Sequence, residues 1–528
     1  MIDPSNPLSI ALVSVTLTAL IRFSVPSLQV LFDRLGSVAA TIARSWIRSA
    51  ALIFFFSLTI SAIPSAINGV PVPLVHDEFA YLLQGDTFAH GRLTNPPHPM
   101  AEFLETFHVL QHPTYAAKFP VGQGVALAIG FRLGLPIIGV WLSIALACVA
   151  VDWMLRAFVS PRWSLIGGLL CALHPLIAWW SQSYWGGGVA MLGGAILIGA
   201  GARATSERPR AIHGALIGIA LAILANTRPL EGLILAVLAW SWLTWKIASI
   251  RARIIIPAAA ALVPTFAFML FYNFRVTGSA TTMPYVAHAK QHMIAPLLFG
   301  QSLNDPPAFH HQVFADFYNR MELNEYRNER WWKKWPMLVI NYVSPAALIV
   351  PLVASLWAWR RQRGLAFALV LCIGLPAIHM LITPWMRPAY MAPLIGPLYL
   401  AIVVGLRELL RRGAFTFVLF VIISTVVAAV VLIKPQATLS HAPLAVERTK
   451  LIDDLTTRGG KHLVIVTYGP HHEPLFEFVF NRAGIDQSPV VFARSIDPQK
   501  DRELLDYFHD RQIWELFFDE GTYRVSPR

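Results

Sequence analysis

The sequence predicts a polytopic α-helical membrane protein of about 11–13 spans, closed by a small C-terminal α/β domain outside the bilayer. Three observations carry that reading. Hydrophobic residues make up 55% of the 528 residues and charged ones only 14%, whereas soluble domains carry about 25% charged residues. Apolar runs of about 20 residues recur along most of the chain, enough for a helix to cross the hydrocarbon core. Only helices and closed barrels satisfy the backbone in lipid, and continuous apolar runs select helices. After about residue 440 the runs stop and short apolar stretches alternate with charged ones.

Residues 1–45 form an N-terminal segment. Pro7 to Phe32 is apolar but broken by Arg22 and Pro26. It has neither the basic start nor the small-residue cleavage site of a signal peptide. It reads as an extra span or an interfacial helix, and the sequence leaves that choice open. Residues 46–435 form the transmembrane domain, with spans near 47–69, 136–158, 163–181, 184–202, 211–227, 229–246, 254–274, 336–358, 364–384, 388–406 and 414–434. The hydrophilic connections sort by charge. Arg34, Arg44, Arg48, Arg156, Arg162, Arg203, Arg208, Arg210, Lys246, Arg251, Arg253, Arg360, Arg361, Arg363, Arg407, Arg411 and Arg412 fall on alternate connections. They therefore share one face, which the positive-inside bias makes cytoplasmic. The net charge of +12 is thus a topology signal, and no nucleic-acid partner is expected. The opposite, extracytoplasmic face receives loops at about 70–120 and 276–335 and the tail. "RWWKKW" from Arg330 to Trp335 reads as an interfacial anchor. Asp152, at the cytoplasmic end of a span, reads as a solvated helix terminus.

Residues 436–528 read as a soluble extracytoplasmic α/β domain. "VERTKLIDDL" predicts an amphipathic helix stopped by Gly459-Gly460. "HLVIVTY", "PVVFA" and "IWELFF" predict strands, and "EPLFEFVFNRAG" and "DPQKDRELLDYF" predict helices. Strands alternating with helices imply a parallel sheet. A role in docking the acceptor over the active-site mouth is the expectation for this domain.

Chemistry-bearing residues gather on the extracytoplasmic side. Asp77-Glu78 follows the first confident span; "FHVLQHPTYAAKFPVGQG" holds His108, His112 and Lys118; "ANTRPLEGL" holds Arg228 and Glu231; "MRPAYMAP" holds Arg387 and Tyr390. Charged groups bordering a span are costly and face a cavity or a partner, so their recurrence on one face predicts a shared polar cavity. Arg228 and Glu231, three residues apart, could instead pair with each other. A carboxylate within hydrogen-bond reach can take a proton from an acceptor hydroxyl. Arg and Lys can hold a phosphate and stabilise it as it leaves. No nucleotide-binding motif is present, so the donor chemistry expected is a lipid phosphate. Asp77, Glu78 and the histidines could ligate a divalent cation, but no cofactor is required by any motif and no zinc spacing is met. Cys148, Cys171 and Cys372 each lie in an apolar stretch and read as buried thiols. His76, Asp86, His90 and His98 read as loop structure.

These pieces together resemble the GT-C superfamily of polytopic glycosyltransferases. The resemblance is to glycosyltransferase family 39-like bacterial relatives of protein O-mannosyltransferases and aminoarabinose transferases. It rests on "HDEFAYL", "QHPTYAAKFPVGQG", "NTRPLEG" and "FYNFRVTGSATTMPY", which ends at Tyr285, and it covers roughly residues 45 to 430. The resemblance implies a bacterial inner-membrane enzyme of the cell envelope with its catalytic loops in the periplasm. It implies transfer of a hexosyl or pentosyl unit from a polyprenyl-phosphate sugar to a glycan, lipid or protein acceptor, with inversion. Asp77 would be the base with Glu78 as neighbour or substitute. His112, Lys118, Arg228, Glu231, Tyr285, Arg387 and Tyr390 would be substrate-binding. The family's common His-Pro-Pro stands here as His-Pro-Thr, which leaves the sugar and the acceptor open. A transporter or flippase for a lipid-linked saccharide is the alternative. The absence of a clear internal repeat and the gathering of polar residues at one face disfavour it.

Overall fold

The computed structural model describes residues 7–24, 28–206, 208–246, 252–328, 331–431 and 442–528. Pro26, Arg251 and Arg330, singled out above, lie outside the described residues. Each of the eleven apolar runs named above falls on one helix or on a broken pair. Five helical stretches are long and apolar enough to cross a membrane unaided: Trp46–Asn68, Pro136–Leu155, Ala252–Thr277, Leu365–Ile382 and Pro388–Arg411. Gly188–Ala204, Ala211–Ala225, Pro229–Trp242 and Phe415–Val431 are shorter apolar helical stretches. The N-terminal segment holds two helices, Pro7–Ser24 and Leu28–Ala43, the first packed along Phe415–Val431.

Two predicted spans are interrupted, each at a proline. The run near 163–181 splits into Pro161–Ala172 and Pro175–Trp180. Pro175 has no N–H to donate back and biases the residue before it away from helix. His174 takes up the new start, its Nδ1 accepting from Leu176 N at 3.1 Å. The run near 336–358 bends by 92° between Tyr342 and Ala346, where Pro345 stands.

Helix Ile395–Arg411 is the hub of the bundle, with nearly every residue buried. Helix Ala252–Thr277 is its opposite, turning Ile256, Val263 and Phe266 outward, as a lipid-facing helix should. The basic connections meet at one end. Arg156 reaches Ala43 O at 3.1 Å, Arg203 reaches Trp153 O at 2.7 Å, and Gln362 reaches Phe158 O at 2.7 Å. Asp152 is fully buried there and is no solvated terminus. Its Oδ2 accepts from Ser49 Oγ at 3.2 Å and from Arg156 Nε at 3.1 Å, and burial of a charge demands such partners.

At the other end lie the first loop, the 276–335 segment and the tail. The first loop contains helix His76–Ala89, a two-stranded antiparallel ribbon of β1 (Val109–Leu110) and β2 (Ala116–Ala117), and helix Val121–Arg132. That last helix crosses Pro136–Leu155 so closely that a Cβ on Gly139 would lie 1.8 Å from Ala126 O. Only glycine admits the crossing that fixes the far side of the loop.

The tail opens with helix Ala442–Arg458, which ends where Gly459 and Gly460 adopt φ of +75° and +80°, values open to glycine without steric cost. Strands β3 (His462–Tyr468), β4 (Val490–Arg494), β5 (Gln512–Asp519) and β6 (Thr522–Pro527) form a sheet of order β4-β3-β5-β6. The β3–β4 and β3–β5 pairs are parallel, as expected, but β6 is an unforeseen antiparallel edge. The helix expected over "EPLFEFVFNRAG" does not form. Its carbonyls are drawn sideways instead: Arg448 donates to Phe478 O at 2.9 Å and to Phe480 O at 2.8 Å, while Asn481 brackets Phe492 N and O.

Candidate active site

The two adjacent carboxylates of the first loop have different environments. Helix His76–Ala89 starts after the extended Val75, and Glu78 sits at its third position. Glu78 Oε2 accepts from Leu74 N at 2.7 Å and Val75 N at 3.3 Å; its Oε1 accepts from Ser183 Oγ at 2.7 Å and Tyr184 N at 2.8 Å. Burial lifts its carboxyl above the usual range, against those hydrogen bonds. Four donors fill the acceptor sites of a carboxylate. Glu78, expected beside Asp77 as a catalytic carboxylate, is therefore occupied as a helix cap that ties the loop to the 183–184 turn.

Asp77, one residue before it in the helix, points elsewhere and keeps 20% of its side chain exposed. Its Oδ2 lies 3.6 Å from His108 Nε2. His108 occupies the left-handed region with φ +63°, a conformation uncommon outside glycine. The ribbon holds it there, because Lys118 N donates to His108 O at 3.0 Å just past β2. The side chains meet as well: Lys118 Nζ donates to His108 Nδ1 at 2.9 Å. An imidazole accepting at Nδ1 carries its proton on Nε2, facing the Asp77 carboxylate. One neutral ring thus joins Asp77 to Lys118. Burial, with Lys118 beside it, holds the His108 pKa well below 6.5.

Lys118 is almost fully enclosed, 4% exposed, with Nζ 5.1 Å from the Tyr285 ring centre and 5.5 Å from that of Phe119. Burial lowers its pKa, opposed by Glu322 and Asp77. The Asp77 carboxyl is raised by burial, against the pull of Lys118, Arg387 and Arg228 in that order. Glu322 was not singled out by the sequence. It closes an irregular helix, Ala315–Glu322, leaves a buried oxygen without a hydrogen-bond partner, and is raised by burial to about 7.

Lys118, Arg228, Glu231, Tyr285 and Tyr390 all line one cavity of about 750 Å³ whose walls are otherwise largely apolar. Arg228 lies over the Tyr390 ring at 4.3 Å. Glu231 does not pair with Arg228; both it and His379 are buried, with His379 Nε2 3.0 Å from its Oε1. Arg387 stands outside the lining and is held by Glu325 in a two-point contact at 2.7 and 2.9 Å, with Lys334 also on Glu325 at 3.5 Å. His112 does not join the site. It lies at the exposed turn of the ribbon, where only its carbonyl is engaged, by Gln291 Nε2 at 3.3 Å. His288 and His292 share helix Pro284–His292, and Tyr318 OH meets His288 Nε2 at 3.2 Å. Among the described residues no three His, Cys, Asp or Glu side chains converge as metal ligands.

No protein-family model matches the sequence, and no curated protein matches it. In three dimensions the chain is similar to ArnT from Cupriavidus metallidurans bound to undecaprenyl phosphate. The TM-score is 0.53 at 12% identity, covering 89% of this chain and 92% of that one. It is similar to the same protein in its apo state with a TM-score of 0.53 at 14% identity, with the same coverage. The chain has the GT-C fold. Within this fold the first loop supplies Asp77, His108 and Lys118, and two later turns supply Arg228 and Tyr390. Lys118, Arg228 and Tyr390 therefore come from segments distant in sequence that only the fold brings to one cavity, while Asp77 and His108 stand behind Lys118 and do not line it. His108 was named from the sequence with His112 and Lys118, although it precedes the His-Pro element itself; Glu322, Glu325 and His379 carried no signal.

Proposed function

We propose that this chain is an integral membrane glycosyltransferase that moves a sugar from a polyprenyl-phosphate donor to a hydroxyl-bearing glycan, lipid or protein acceptor, with inversion. The observation that carries the reading is the Asp77–His108–Lys118 array, whose cationic end lies in the wall of a large apolar cavity. A buried ammonium and a guanidinium beside apolar walls suit a phosphate on a long hydrocarbon. ArnT, of the same fold, is a structure bound to undecaprenyl phosphate.

The chemistry follows from the geometry. The acceptor oxygen attacks the anomeric carbon as Asp77 takes its proton. The bond from that carbon to the phosphate oxygen breaks, and its electron pair leaves on the lipid phosphate. Lys118 and Arg228 hold the growing negative charge in a site of low polarity, where such stabilisation is strongest. His108 keeps Asp77 and Lys118 in register. Attack opposite the leaving group inverts the centre. The basic connections collect at the far end, so the loops and tail face away from the cytoplasm, across a bacterial inner membrane.

The test is reconstitution with radiolabelled polyprenyl-phosphate sugars and a panel of acceptors. Transfer of label is expected. Protein-dependent flipping of the donor with no transfer from any donor would overturn the enzyme reading in favour of a flippase.

A further inference from the structure

The tail grips the first loop at the two places that present Asp77 and His108. On the helix His76–Ala89, the Phe480 ring stacks on Phe79, two residues from Asp77, with centroids 3.7 Å apart and planes 3° from parallel. Further along, Ala483 N donates to Asp86 Oδ2 at 3.0 Å. Arg448 reinforces the stack, 5.0 Å from the Phe79 ring while holding the carbonyls around Phe480. On the segment before His108, Arg494 donates to Glu105 O and Thr106 Oγ1 donates to Val479 O at 3.3 Å. Arg494 is itself locked by Glu477 at 2.6 Å and lies 4.8 Å from the Phe314 ring. Phe107 then stacks face to face on His76 at 4.1 Å, so the two gripped pieces also touch each other. The irregular course of residues 475–484, where a helix was expected, is what delivers Phe480 and Ala483 to these contacts.

We infer that the C-terminal domain is a positioning clamp for the Asp77–His108 pair, with Phe480 as its chief positioning residue, and not a separate acceptor-docking module. The inference rests on the proposed role of Asp77 as base. Asp77 and His108 come from different segments and are 3.6 Å apart, so a small slip of the helix against the ribbon separates them.

The test uses the full chain in nanodiscs. It compares Phe480→Ala, Phe480→Trp and Asp86→Ala with Lys500→Ala, which breaks only the outlying contact to Glu102. Hydrogen exchange of peptides covering 75–89 and 105–110 is read beside kcat and the two KM values. In Phe480→Ala, exchange in both peptides should quicken and kcat should fall about 10- to 100-fold, the cost of misplacing a catalytic group by about 1 Å, with the acceptor KM unchanged. Phe480→Trp should recover both, and Lys500→Ala should change neither. If Phe480→Ala fails to fold, Asp86→Ala, which removes the acceptor for Ala483 N, carries the same expectations. A raised acceptor KM at unchanged kcat, or exchange unaltered in both peptides, would overturn the clamp. Were the wild type to transfer no sugar, the function would fail while the exchange measurements still decided the clamp.

Discussion

Replacing Lys118 by methionine keeps an unbranched stem of similar length and removes the charge. Two roles are then lost together: the cation in the cavity wall and the donor to His108 Nδ1 at 2.9 Å. A hydrogen bond to a charged group contributes about 1.5–3 kcal/mol, a factor of about 10 to 150 in donor binding at about 1.4 kcal/mol per decade. Removing a donor aimed at developing charge costs about 100- to 1,000-fold in kcat. The expected result is a kcat at least about 100-fold lower with a raised donor KM. Folding should suffer little. The ammonium has a depressed pKa because burial disfavours its charge, so its loss relieves that cost and offsets the about 1–3 kcal/mol for the His108 nitrogen left unpaired. The pH profile gives a second reading. Lys118 is the largest charge holding the Asp77 pKa down, so its removal raises that pKa further. The acid limb of the residual kcat/KM should move to higher pH, since the base is lost as pH falls through its pKa. Wild-type kcat and KM in Lys118→Met, or an acid limb displaced to lower pH, would refute the reasoning.

Glu78→Gln should act on stability before activity: two of four donors would face an amide NH2, lowering stability by about 2–4 kcal/mol, read as a lower melting temperature, while the folded fraction retains transfer. Glu322 holds its proton to about pH 7 in the folded protein against an ordinary value of 4.5. The native state thus binds more protons in that window, and stability falls as pH rises through it; Glu322→Gln should flatten the dependence in thermal scans. Arg228→Gln, which removes the guanidinium over Tyr390, should raise the donor KM more than Arg387→Gln does, because Glu325 already occupies Arg387 on two sides; parallel donor titrations compare the two.

The spans were legible because lipid leaves the backbone so few solutions, and each apolar run did become helix. The interruptions at Pro175 and Pro345 were written in the sequence too, but hydrophobicity summed over a window passes over a single residue. In the tail, three strands carried their own apolar signature. The segment 475–484 did not, since Phe478 is buried in the tail's own core beside Phe492 and Phe518 while Phe480 stacks on Phe79 of the first loop, so its phenylalanines do not share one helix face. The site divides in the same way. Asp77 and Glu78 look alike as neighbours, yet a helix turns about 100° per residue, so one side chain meets His108 and the other meets Ser183. The pairings of Glu231 with His379 and of Arg387 with Glu325 join residues 148 and 62 positions apart by number. No local spacing encodes them.

The central claim is that Asp77 is the base. It is tested most directly by single-turnover transfer from a polyprenyl-phosphate sugar, comparing wild type with Asp77→Asn at equal donor occupancy. Transfer should slow by about 100- to 10,000-fold, the contribution of a positioned base, with donor binding retained. Transfer at the wild-type rate by Asp77→Asn would contradict the account.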